Sequence, residues 1–240
     1  MINIEKAKTE FIKYTDKFDK ENEHLRKKIE HSIRVMGISK QISTDLKLSR
    51  EEIELSTLIG LLHDIGRFEQ YTKYCTFKDY KSIDHGKLGV EILEKEEYIR
   101  KFIEQDNYDE IIKKAIKNHN QYGLEERLNE RELLFCKLIK DADKIDILYE
   151  GTDFFWNKKE QQEEIENSTI TEEVWKQFKE KRLVENQKKK NAWDNVIGLI
   201  SFIHDINFKE SLKIIKEKNY INKILDRFEY KNEDTKNKIE

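Results

Sequence analysis

At 240 residues, with no proline, only 8 glycines and abundant Glu, Lys, Leu and Ile, the chain suits long helices and argues against a strand-and-turn architecture. Its 46 Lys and Arg almost cancel 49 Asp and Glu, and a net charge of -3 gives no electrostatic case for nucleic acid. The N-terminus turns polar at once, no apolar run is long enough to span a bilayer, and Cys75 and Cys136 form neither a disulfide framework nor a CxxC pair, so the expectation is a soluble, cytoplasmic protein with reduced thiols.

In chain order, residues 5–20 carry Phe11, Ile12, Tyr14 and Phe18 in a loose helical pattern expected to pack across later helices. A long helix is expected from Glu23 to about Thr44, with His31 near the edge of its buried stripe, and His24 is expected to be exposed. Ser49 to Glu52 forms a capping box, which starts a helix whose stripe is Leu55, Leu58, Ile59 and Leu62. That apolar run stops at His63-Asp64, where Gly66 would permit a sharp turn. An ionised Asp beside a His against so apolar a segment costs several kcal/mol unless a partner compensates, and a bound cation is the usual one.

Residues 66–84 lose periodicity and read as a long aromatic loop, in which Arg67 would offer a rigid fork to a substrate phosphate. Asp84 is the expected N-cap of a helix opening with His85 and Lys87, and another amphipathic helix reaches His119. The helix from about Asn129 to Tyr149 has an apolar face interrupted by Asp141, Asp143 and Asp146; Asp143 is expected to point inward and the other two to be solvated. Residues 151–172 read as a linker, Thr169 to Glu172 as a second capping box, and His204-Asp205 as a structural pair without partners for a second ligand set. The expected division is a packing helix over 1–22, a metal-site domain over 23–150, a helical lid or dimer surface over 151–230 and a frayed polar tail over 231–240.

His31, His63, Asp64, His85, His119 and Asp143 thus lie on separate segments near helix ends or inner faces. Four imidazoles and two carboxylates suit two cations bridged by Asp64, favouring Fe, Mn, Co, Ni or Zn over Mg. The order H…HD…D resembles the HD superfamily of metal-dependent phosphohydrolases over about residues 23–150, and the added His85 and His119 are similar to its six-ligand, two-metal members. These include HD-GYP phosphodiesterases, whose Gly-Tyr-Pro signature is absent here, symmetrical dinucleoside-tetraphosphate hydrolases and di-iron oxygenases.

The resemblance implies an all-α helical bundle that hydrolyses a small phosphorylated substrate such as a nucleotide. His63 and Asp64 would be catalytic, and Arg67, Lys87 and Lys144 would neutralise phosphate. A mixed-valent di-iron oxygenase and a non-catalytic nucleotide-binding module are the alternatives. No membrane partner is expected, and the C-terminal helices are a surface on which a homodimer would form.

Overall fold

Helices account for nearly all regular structure in the computed structural model, which describes residues 1–239; no strand occurs among them, so the all-α class is observed. No described helix is long and apolar enough to cross a membrane. The chain divides into two compact units, Met1–Asp143 and the residues from Lys144 onward.

The first unit opens with α1 (Ile4–Thr15) and α2 (Glu23–Asp45), whose first turns are capped by the side chains of Asn3 and Asn22. Ser49 and Glu52 form the expected reciprocal box at the start of α3 (Arg50–Leu62). Helices α4 (Gly66–Tyr74), α5 (His85–Glu94), α6 (Asp109–Asn118) and α7 (Glu130–Asp153) follow, α7 continuing into the second unit. Asn129 and Glu132 cap α7 reciprocally, each side chain accepting from the other's backbone N–H at 2.9 Å.

Helix α3 is the axis of this unit. Leu55, Leu58, Ile59, Leu61 and Leu62 are all at most 1% exposed, and such side chains stabilise a fold by about 1.5–3 kcal/mol each. Its most extensive neighbour is α2. The two approach closely at Gly60, where a Cβ would stand 2.6 Å from Ser39 Oγ and 3.0 Å from Met36 Cα. On the α1 side, Phe11, Tyr14 and Phe18 surround the ring of Phe68, with centroids 5.7–6.0 Å away.

The structure corrects several expectations. Residues 66–74 are helical, a helix that periodicity does not reveal because α4 buries only Phe68 and the polar Gln70 beside Gly66 and so displays no apolar stripe; the loop is confined to 75–84, with one 3₁₀ turn at Asp79–Lys81. Gly66 does not make a left-handed turn. Its backbone approaches α5, and a Cβ there would lie 2.3 Å from the carbonyl oxygen of His85. Asp141 and Asp146 are fully buried, and neither is without a partner. Most of the circumference of α7 is enclosed, so a polar position on it is no guide to solvent.

In the second unit, α8 (Lys159–Asn167) occupies the expected linker, followed by α9 (Glu172–Lys179), α10 (Ala192–Ile200), α11 (Lys209–Glu217), α12 (Tyr220–Leu225) and α13 (Glu233–Ile239). The expected box at 169–172 does not form. Thr171 stands at the N-cap without a side-chain cap bond and instead donates from its backbone and hydroxyl to the buried Asp194 carboxylate. Within the polar tail, Glu233–Ile239 is helical and is tied down by Thr235, whose hydroxyl accepts from the Ile170 N–H at 3.3 Å, while residue 240 lies outside the described residues. Asp205 pairs with Lys144 at 2.9 Å, and the His204 ring packs on Phe178 with centroids 4.9 Å apart.

Candidate metal centre

The end of α3 sets the site. His63 is its C-cap, and the ring Nδ1 lies 2.8 Å from the Gly60 carbonyl, which can only accept. Nδ1 therefore carries a proton, which leaves Nε2 as the ring nitrogen that can serve as a ligand. His119 repeats the arrangement as the C-cap of α6, its Nδ1 2.6 Å from the Ile116 carbonyl. His85 begins α5 after the Asp84 N-cap, and its Nδ1 lies 2.7 Å from Asp79 Oδ2. His31 comes from the middle of α2 and Asp143 from α7.

These elements bring all six expected ligands together. His31 Nε2 is 3.2 Å from His63 Nε2, 3.1 Å from Asp143 Oδ1 and 3.5 Å from Asp64 Oδ2. His85 Nε2 and His119 Nε2 are 2.9 Å apart and lie 3.3 and 3.5 Å from Asp64 Oδ1. The two carboxylate oxygens of Asp64 thus face different imidazole pairs. Atoms sharing a cation at about 2.1 Å are roughly 3.0–3.4 Å apart, close to most of these separations. With the ring protons of His85 and His119 on Nδ1, facing Asp79 and the Ile116 carbonyl, two Nε2 lone pairs would meet at 2.9 Å. A cation would relieve that repulsion, and His31, His63 and Asp64 on one side, or Asp64, His85 and His119 on the other, are groups that could hold one.

Five of the six are buried and Asp143 is partly so. Burial alone would raise the Asp64 carboxyl, but Lys28 and the surrounding imidazoles hold it well below the usual range. Asp143 is likewise held low against burial by His31 and His63. Burial, with His85 and His63 alongside, lowers His119 to about 4, leaving it a neutral ligand at pH 7.

The three expected phosphate ligands fare differently. The Nη1 of Arg67 is engaged by Gln70 Oε1, the Phe77 carbonyl and Asp79 Oδ1 at 2.6–3.0 Å, which straps the 75–84 loop, and its Nε lies 3.5 Å from Asp64 Oδ1. Lys87 is exposed on the first turn of α5, its backbone N–H donating to the Asp84 cap. Lys144, held by Asp205 in the second unit, is bound to a carboxylate already.

Two residues went unread in the sequence. Lys28 places its ammonium 2.9 Å from Asp64 Oδ2, and its place one turn before His31 on α2 was the available signal. Asp79 sits in an aperiodic loop and carried no signal. Burial opposes its ionisation, but the His85 hydrogen bond and Arg67 hold it well below the usual carboxylate range.

A family model described as HD domain matches residues 29–148, half of the chain and the segment that supplies all six clustered side chains. No curated protein and no solved structure matches significantly.

Proposed function

Because the chain belongs to the HD-domain family, a superfamily of metal-dependent phosphohydrolases, we propose that it hydrolyses phosphate esters or anhydrides of a nucleotide or other small phosphorylated metabolite in the cytoplasm. The observation supporting this reading most directly is the division of the Asp64 carboxylate between His31 and His63 on one side and His85 and His119 on the other. His31, His63, Asp64 and Asp143 would hold one divalent ion, and His85, His119 and the other oxygen of Asp64 a second. Imidazole-rich coordination suits Mn, Fe, Co, Ni or Zn before Mg. When bound, such a pair supplies Lewis-acid polarisation of a phosphoryl oxygen and a hydroxide nucleophile at neutral pH.

The protein's own groups position the reactants. Lys28, 22% exposed where Asp64 is 4%, stands between solvent and the centre and would take a phosphoryl oxygen once Asp64 is shared with cations. Beside it, Phe77 lies with its ring centroid 5.7 Å from Lys28 Nζ and 4.7 Å from that of Tyr71, which in turn packs on His24 at 5.2 Å. This aromatic wall would restrict water on the Lys28 side. Asp64 and His63 are the residues on which the reaction depends most. A phosphate-release screen over nucleotides, run with metal analysis, tests the reading: Asp64→Ala should bring turnover to background and metal content down together, and wild-type rates in that variant would refute it.

A further inference from the structure

His63 and His119 take their orientation from carbonyls of their own helices, whereas His85 takes its orientation from a side chain on the neighbouring loop. That side chain, Asp79, is a hub. Its Oδ2 accepts from His85 Nδ1 at 2.7 Å and Asn120 Nδ2 at 3.1 Å, and its Oδ1 from Gln70 Nε2 at 2.8 Å and Arg67 Nη1 at 3.0 Å. The donors come from the three segments that carry Asp64, His85 and His119: Arg67 and Gln70 follow Asp64 on α4, and Asn120 is the residue after His119. Asn120 also donates to Asp84, the cap of α5, at 3.0 Å, so the start of that helix is laced to the same point. None of the hydrogen bonds at Asp79 reaches His31 or Asp143.

We propose that Asp79 is a positioning residue for the second metal subsite alone, setting whether His85, His119 and Asp64 together retain an ion while the subsite of His31, His63, Asp64 and Asp143 fills without it. The inference rests on the two-metal reading above. A carboxylate that accepts the distal N–H of a ligating imidazole fixes its tautomer and ring plane and raises its basicity; removing such a partner typically costs 10–100-fold in metal affinity. Because Asp79 also gathers Asn120, next to His119, and Arg67, whose Nε faces Oδ1 of Asp64 at 3.5 Å, its loss is felt at His85, at His119 and at the one Asp64 oxygen that faces them. Arg67 thereby acts through Asp79.

The test uses the full chain, stripped of metal and titrated with Co²⁺, reading stoichiometry and stepwise affinity by calorimetry and site occupancy by visible absorption. Two ions should bind the wild type. Asp79→Leu should keep the first affinity and weaken the second about 10–100-fold, with selective loss of one component of the cobalt spectrum. Asp79→Asn, which keeps an acceptor for His85 without the charge, should fall between, and it decides alone if the leucine variant does not fold. Unchanged second-site affinity, or equal weakening at both sites, overturns the role of Asp79 and leaves the two-metal reading standing. A wild-type chain that never holds a second ion overturns both.

Discussion

The buried imidazole of His119 makes the centre sensitive to acid in a definite direction. Its folded pKa of about 4 lies below the ordinary 6.5, so the unfolded chain takes up a proton first. That contribution to stability is whole above pH 6.5 and is lost as pH falls from 6.5 towards 4, a drop of about 3 kcal/mol over the interval. Asp64 and Asp143, whose pKa values are depressed, begin to lose theirs only below the ordinary 3.8. Denaturant melts of the metal-free protein should therefore show stability declining between pH 6.5 and 4; a flat profile there would mean that His119 is solvated or already protonated.

Lys28 makes a separate prediction at this scale. Losing one charge-assisted hydrogen bond of about 1.5–3 kcal/mol corresponds to a roughly 10–150-fold change in affinity. Lys28→Met should raise KM for phosphorylated substrates, and weaken inhibition by inorganic phosphate, by a factor in that range with metal content retained. Unaltered phosphate inhibition would return the role to Arg67.

Among elements, the packing of α3 and α4 against their neighbours places the ligands. Gly66 allows α4 to meet the start of α5 where His85 sits, and the 2.3 Å clash that a methyl group would make is with backbone, which cannot swing aside. Gly66→Ala should cost about 1–3 kcal/mol in unfolding free energy and displace His85, lowering the affinity of its subsite. A variant with wild-type stability and metal binding would show that α5 adjusts freely. Element boundaries were readable where a cap announced them, as at Ser49 and Asp84, and unreadable where burial was polar. Gln70 shows why: it is fully buried, yet holds Asp79, Ser82 and the Ile83 carbonyl through hydrogen bonds, and a buried amide leaves no mark in a hydrophobic pattern.

For the molecule as a whole, ions that bind the folded chain and not the unfolded one stabilise it by mass action. At a concentration 100 times the dissociation constant, one ion contributes about 2.7 kcal/mol, and in a chain of this size each kcal/mol moves Tm by roughly 2–4 °C. Chelation should accordingly lower Tm by about 5–10 °C for each ion removed, and readdition of Mn²⁺ or Co²⁺ should restore it. An unchanged Tm would count against tight metal binding by the folded protein.

The sequence by itself determined the helical class, the caps that start α3 and α5, and the identity and order of the six clustered side chains. The first two are properties of residue type or of spacing within one element, and the third is a property of order along the chain. Only the tertiary structure decided that the two oxygens of Asp64 face different imidazole pairs, that Lys28 meets Asp64 across 36 positions of chain, and that Arg67 braces a loop. Asp79 is the sharpest case, six positions from His85 and still invisible, since periodicity records which face of a helix is apolar and a loop's path is set by the side chains that hold it down.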